Sequence, residues 1–167
     1  MHTNLRRNYS ARFIYHFTDK RNLPEIKKAG GLLPRRSLAT IPYIPGGNEW
    51  SITADDRSGL DQHVHCCFLP HHPMEYLARI QGRIDPVWLT ISLDVLNNPS
   101  VRYTPGVSNQ AGMAQYNNRE AIENLDLLPL YRYLDWTVPE NNERRGNAEK
   151  YEILLPFQIP LSQIGGI

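Results

Sequence analysis

Apolar and aromatic positions group into short runs along this chain. The run Phe13-Ile14-Tyr15-His16-Phe17-Thr18 predicts a strand over residues 12–18 by alternation and aromatic content. Asn22 follows as an N-cap, with Pro24 in the first turn and Glu25 three residues on, a variant of the capping box. The helix this predicts is short, residues 24–29; Lys27 and Lys28 suit its last turn and Gly30 supplies the stop. Residues 31–62 read mostly as loop, because residues 41–48 contain two prolines and two glycines, with one helical turn at 53–57. A buried strand is expected at 64–68, ended by Pro70, and Pro73-Met74-Glu75-Tyr76 leads into a loop or short helix. Residues 87–93 are the clearest strand, and Asp94 can cap a single turn beyond it. A short strand at 101–103 enters a polar loop at 104–110.

Residues 119–124 read as helix, 127–136 as helical or irregular, and 139–146 as an exposed charged loop. Glu152 opens a strand over 152–156, and a turn or short strand at 158–164 finishes the chain. Residues 1–11 are expected to be a loosely ordered arm. Small segregated elements without regular strand–helix alternation make this an α+β chain, not a doubly wound sheet.

The 167 residues suffice for one domain, residues 1–167, with a real core but not comfortably for two. Thirteen prolines and eleven glycines favour a loop-rich fold and argue against a helical bundle. The two cysteines are adjacent, Cys66-Cys67, and read as buried apolar residues, not as a disulfide framework. No signal peptide is visible, and the apolar runs are far shorter than a membrane span, so a monomeric cytoplasmic protein is expected. The formal net charge of +1 conceals an asymmetry. Residues 1–50 carry nine Lys or Arg against three acids, and the remainder nine against fourteen. Arg6, Arg7, Arg12, Lys20, Arg21, Lys27, Lys28, Arg35 and Arg36 thus form a basic end of the kind phosphate backbones attract, or a solvated surface with local helix-end roles.

Several chemistries can be weighed. His63, His65, His71 and His72 cluster, but no Cys-x-x-Cys or His-Glu-x-x-His pattern accompanies them, and no metal is expected. A cysteine nucleophile would need a base and a depressed pKa; His16, His63 and His65 are available, but neither cysteine lies at a helix N-terminus, and both read as core residues. There is no Gly-x-Gly-x-x-Gly and no Walker loop. His16 sits mid-strand among aromatics, either as a satisfied core histidine or as a donor to a ribose hydroxyl or phosphate. Thr18 shares its strand face. Asn22 can cap its helix or contact a ligand, and Arg57 suits a pyrophosphate. Glu152 precedes three apolar residues, where a carboxylate is either an edge-strand charge or needs a reason for being buried. Glu149 competes with it and looks better solvated. If the two strands pair, His16 faces a carboxylate able to stabilise a cation.

At these residues the chain resembles the DarT family of DNA ADP-ribosyltransferase toxins. Tyr15-His16-Phe17-Thr18 with Asn22-Leu23, Ile26 and Gly30-Gly31-Leu32 is similar to the family's opening. Residues 64–68 and Pro73-Met74-Glu75-Tyr76 are similar to its central strand and Ser-Pro-Met-Leu-Tyr segment. Asn109-Gln110-Ala111, Leu134-Asp135-Trp136 and residues 148–156, with Ile159-Pro160 and Ile164, match later pieces in order. The resemblance spans residues 12–164. It departs from the family in His65-Cys66-Cys67-Phe68, where the family strand is aromatic-rich. It also departs at His71 and Glu75, which replace an arginine and a leucine, and in offering two glutamates, Glu149 and Glu152, where the family has one.

The resemblance implies an ADP-ribosyltransferase-like split mixed β-sheet with short helices around an NAD cleft. NAD is the implied co-substrate, held by His16, Thr18, Asn22, Gly30, Gly31, Met74 and Tyr76. Glu152 and Arg57 are the implied catalytic residues, with Arg35 or Arg36 as alternatives to Arg57. Residues 134–151 would shape the DNA site. Implied partners are single-stranded DNA, modified on thymine or guanine, and a macrodomain antitoxin that removes the modification in a toxin–antitoxin pair. Rival readings are an RNA or protein acceptor, or a non-catalytic nucleic-acid-binding module using Tyr43, Trp50 and Tyr103. The first reading predicts His16 and Glu152 on neighbouring strands of one cleft, with Arg57 at its mouth.

Overall fold

Alternation along Phe13–Asp19 is realised as a central strand whose buried position is set by Ile14, fully enclosed, and whose far end buries Thr18 and Asp19. The computed structural model describes residues 1–47 and 49–167, with side chains for all of these but 49–51. Asn48 and the side chain of Trp50, one of the aromatics weighed above, lie outside the described residues. In chain order the elements are α1 (His2–Tyr9), β1 (Phe13–Asp19), α2 (Leu23–Lys28), β2 (Gly31–Leu32), α3 (Glu49–Ser58), β3 (Val64–Cys67), α4 (Pro73–Ile80) and β4 (Pro86–Ser92). Then follow β5 (Arg102–Thr104), α5 (Asn118–Asn124), α6 (Leu128–Tyr131), α7 (Pro139–Ala148), β6 (Glu152–Leu155), β7 (Ile159–Pro160) and β8 (Ile164–Gly165).

Six strands form one sheet in the order β5-β6-β3-β1-β4-β8, and β2 pairs with β7 beside it. Every described pairing is antiparallel, which corrects the expected mixed sheet. β1 pairs with β4 along its whole length, from Phe13 opposite Ser92 to Asp19 opposite Pro86. On its other side it meets β3 through a single residue pair, Tyr15 opposite Cys67. The sheet therefore splits between β1 and β3, and that split positions the site. Ile14, Leu89, Ile91, Ile153 and Leu155 are fully buried in the core. β6 is buried at all four positions, which accounts for its unbroken apolar run after Glu152.

Three expectations change. Residues 1–11 are no loose arm: Met1, Leu5 and Tyr9 recur at four-residue spacing and turn one face of α1 onto the core, burying Leu5 completely. His2 and Arg6 both reach Asp94, in the 3-10 turn after β4. Residues 139–146 belong to helix α7, polar nearly all round and burying only Ala148; Arg145 and Glu149 pair across one of its turns. Residues 31–62 contain a full helix, α3, where one turn was expected. The basic end is also less bare than its count suggests. Arg6 pairs with Asp94, Lys20 with Asp85, Arg21 with Asp19, Lys28 with Glu25, and Arg35 with Asp56.

Candidate active site

Glu152 is the first residue of β6, opposite Cys67 of β3 and Thr104 of β5, and is only 6% exposed. Burying a carboxylate here would be costly without partners. It has three. Ser108 Oγ donates to Oε2 at 2.6 Å. His65 Nδ1 lies 3.2 Å from the same oxygen, and His72 Nε2 lies 3.8 Å from Oε1. His65 faces Leu154 across the β3–β6 ladder, so it sits diagonally from Glu152 on one sheet face, within reach of a long side chain. His72 caps α4, its Nδ1 accepting the Met74 amide at 3.3 Å. Burial alone would push the Glu152 carboxyl up. The hydrogen bond and charge of His65, helped by His72 and Ser108, outweigh it and hold the carboxyl below its ordinary value, as an anion.

His16 and Glu152 do not sit on neighbouring strands as expected; β3 lies between β1 and β6. His65 spans the gap. His16 Nδ1 donates to the His65 carbonyl at 2.8 Å, while the His65 ring holds Glu152. That bond also revises the chemistry of His16. With Nδ1 spent on a carbonyl, its other nitrogen carries a lone pair and accepts, so His16 suits a ribose hydroxyl better than a phosphate. Burial, with some repulsion from His65, pushes its pKa down to about 4 despite that bond, so the ring is neutral.

The sign of the linkage follows. The unfolded chain protonates below about 6.5 and the folded one only near 4, so stability is intact above about pH 6.5 and falls as pH drops toward 4. We predict that urea unfolding near pH 7 and near pH 5 shows wild type losing on the order of 1–2 kcal/mol more than His16→Asn. Equal losses would mean that His16 titrates normally.

The split opens into two cavities of about 210 and 130 Å³ that share Phe17, Gly46, Gly47, Asp55 and His65. His16, Thr18 and Asn22 floor the larger; Glu152, His65, His72, Ser108 and Met74 line the smaller. Asn22 neither caps its helix nor offers a free amide. Its Nδ2 donates to Thr18 Oγ1 and the Ile44 carbonyl, and its Oδ1 accepts the Ile44 amide at 2.7 Å, fixing the 41–47 segment beside the larger cavity.

Arg57 is exposed and lines neither cavity. α3 turns Ile52 and Asp55 to the larger cavity, three residues apart, and Arg57, two past Asp55, falls on the opposite side of the helix. Arg35 does line it, 23% exposed and bonded through Nη2 to the Ile52 carbonyl and Asp56. Arg36 is exposed. Gly31 lines the larger cavity, but its special need lies behind it, where a Cβ would overlap the Ile159 carbonyl of β7. Gly30 turns the chain at φ 77° and lines neither cavity. Tyr76 is 48% exposed on α4 under the Arg79 guanidinium, away from both cavities, whereas Met74 faces the smaller. Glu149 ends α7, paired with Arg145 and His71, and is more enclosed than expected.

Sequence reasoning missed Ser108 and Asp55, and read His65 and His72 as metal candidates. Among the described residues no group of three or more His, Cys, Asp or Glu converges for a metal ion. Burial pushes both cysteine thiols up, and the charge of Glu152 adds to this, so neither is a thiolate. No helix among the described residues is long and apolar enough to cross a membrane.

A largely apolar cavity adjoining a smaller one that holds a fixed, anionic carboxylate suits an enzyme that passes a cationic carbon from a bound donor to an acceptor. The chain belongs to the DarT family, the ssDNA thymidine ADP-ribosyltransferases, whose match spans residues 15–167. In fold it is similar to Thermus sp. 2.9 DarT in complex with ADP-ribosylated ssDNA, with a TM-score of 0.68 at 19% identity over 90% of this chain and 78% of that one. The same Thermus protein in complex with NAD+ aligns with a TM-score of 0.61 at 20% identity over the same shares of the two chains. Thermosipho africanus DarTG in complex with ADP-ribose gives 0.67 at 18% identity, over 92% of this chain and 43% of that one. No curated protein matches the chain.

Proposed function

We propose that this protein transfers ADP-ribose from NAD to thymine in single-stranded DNA, with Glu152 as the carboxylate that carries the chemistry. The supporting observation is the buried Glu152 anion, which lines the smaller of two cavities that adjoin at His65 and Asp55. NAD lies along the larger cavity, with His16 accepting from a ribose hydroxyl and Thr18, Gly31 and Arg35 around it. Arg35 takes the pyrophosphate role first given to Arg57, because it is the arginine on the cavity wall. Met74 borders the reacting end; Gly30 and Tyr76, which line neither cavity, act through the turn and the helix that carry their neighbours.

The glycosidic bond of NAD breaks, and nicotinamide leaves as a neutral molecule with the bonding pair. Positive charge grows on the anomeric carbon, as in glycoside hydrolysis, and Glu152 stabilises it. N3 is the only ring nitrogen of thymine in DNA that bears a hydrogen. It attacks that carbon and releases its proton, so the products are the N3-linked ADP-ribosyl base, nicotinamide and one proton. Single-stranded DNA presents N3 without an unpairing cost. Residues 134–151, which lead into β6, border the acceptor. In the cell the reading places this enzyme in the cytoplasm as a monomeric toxin, countered by a macrodomain antitoxin that removes the modification.

Incubation with NAD and mixed single-stranded oligonucleotides should add the mass of ADP-ribose to thymine-containing strands, with duplexes poorer substrates. An adduct on RNA or protein alone would overturn the acceptor, and no adduct on any of the three would overturn the transferase reading.

A further inference from the structure

Glu152 is gripped unevenly. Oε2 takes both the Ser108 hydroxyl and the His65 ring, while Oε1 has, among the described residues, the His72 Nε2 at 3.8 Å. The hydrogens on the two histidines follow from their partners. His72 Nδ1 accepts from the Met74 amide, so its hydrogen sits on Nε2, a buried atom 3.8 Å from Oε1 and beside the Lys150 backbone. His65 is different. Nδ1 faces a carboxylate oxygen at 3.2 Å and Nε2 faces the Leu60 carbonyl at 3.2 Å. Both of those atoms can only accept, and Ser108 Oγ, 3.4 Å from Nδ1, has given its hydrogen to Oε2, so both ring nitrogens donate.

We infer that His65 is a positioning residue for Glu152: an imidazolium, donating through both nitrogens, that anchors one carboxylate oxygen and leaves the other to face the reacting carbon. This rests on Glu152 being the carboxylate of the proposed transfer.

The surroundings agree. Asp55 approaches from α3 and adds a second negative charge. His63, on the strand entrance, and His72, at the start of α4, have pKa values pushed down, chiefly by burial, and His16 of β1 is neutral, so none opposes the charge strongly. Ser108 and the two cysteines are uncharged. Burial works against the His65 cation, but the Glu152 hydrogen bond and charge, with Asp55 and the Leu60 carbonyl, raise its pKa to about 8. Deprotonation above that value removes one donor from the pair. It leaves a neutral ring that can satisfy either Glu152 or Leu60 but not both, so the carboxylate loses its fixed orientation as pH rises.

Two measurements test this. The first is the transfer rate to a thymine-containing oligonucleotide across pH. Wild-type kcat should fall above about pH 8, approaching tenfold per unit, while KM for NAD moves little. His65→Gln keeps a donor that cannot titrate. It should lower kcat about tenfold near pH 7, leave KM within about threefold, and abolish the alkaline fall; His65→Leu should lower kcat about a hundred-fold. A His65→Gln profile parallel to wild type would overturn the inference, because a merely structural histidine gives that result.

The second measurement needs no activity and guards against a variant that fails to fold. In 15N-imidazole NMR of the wild-type protein without NAD, both His65 nitrogens should be protonated near pH 7 and titrate near pH 8. In Glu152→Gln that titration should fall by about one unit or more. A neutral His65 near pH 7 overturns the pairing whatever the enzyme does. An inactive wild-type protein whose His65 still titrates near pH 8 would overturn the proposed function and support the pairing.

Discussion

Glu152→Gln should leave the protein folded and able to bind NAD, yet lower the rate of ADP-ribose transfer by about a hundred-fold or more. The amide has the size of the carboxylate and can still accept from the Ser108 hydroxyl. What it lacks is the negative charge that meets the cationic carbon as nicotinamide departs. Because the charge matters only once that carbon becomes positive, the loss should fall on kcat and spare the affinity for NAD, measured by titration calorimetry. Glu149→Gln is the control. Glu149 lines neither cavity and spends its charge on Arg145 and His71 at the end of α7, so its variant should keep activity within a few-fold. Full activity in the Glu152 variant with collapse in the Glu149 variant would move the chemistry three residues upstream. Full activity in both would remove any carboxylate mechanism of this kind.

The second large effect is expected at Arg35. Removing a guanidinium from the wall of a half-enclosed cavity should weaken NAD binding by about ten- to a hundred-fold, read as KM and as the calorimetric Kd. Arg35 also ties its turn to α3 through Ile52 and Asp56, so Arg35→Ala needs its thermal midpoint measured alongside. Arg35→Lys keeps the charge but not the planar fork, and should fall between. Arg57→Ala should bind NAD within about twofold of wild type, since the side chain points to solvent on the far side of the same helix. Equal loss in the two alanine variants would contradict the placement of the cavity.

What could be read from the sequence was whatever repeats along it. β1, β4 and β6 announce themselves through aromatic and β-branched runs, and the short helix after Asn22 through its proline and glycine. α1 carried a readable Met1-Leu5-Tyr9 spacing, hidden among asparagines and arginines. α3 and α7 have too little apolar periodicity to distinguish a surface helix from a loop. The site was legible only as a set of residue types. Which of Arg35 and Arg57 meets the cavity depends on the facing of α3, and that is decided by packing against the larger cavity's other walls. That β3 inserts between β1 and β6 is a matter of strand order, which no local pattern encodes. The same insertion brings His65 diagonally onto Glu152, so a histidine that looked like half of a metal pair becomes the carboxylate's partner only once the ladder register is fixed.

Asn22 presents one donor and one acceptor to the carbonyl and amide of Ile44, the same complement a neighbouring strand would offer that residue. The 41–47 segment, with two prolines and two glycines, could not have joined a sheet by its own backbone. It is held instead by side chains: Asn22 at Ile44, and Arg83 Nη1, which donates to the Gly46 carbonyl at 2.7 Å. The outline of the chamber's roof is therefore written partly in its floor: Asn22, at the entry to α2, helps set how far the roof stands above the space it covers, and a substitution there would change the room's height along with its lining.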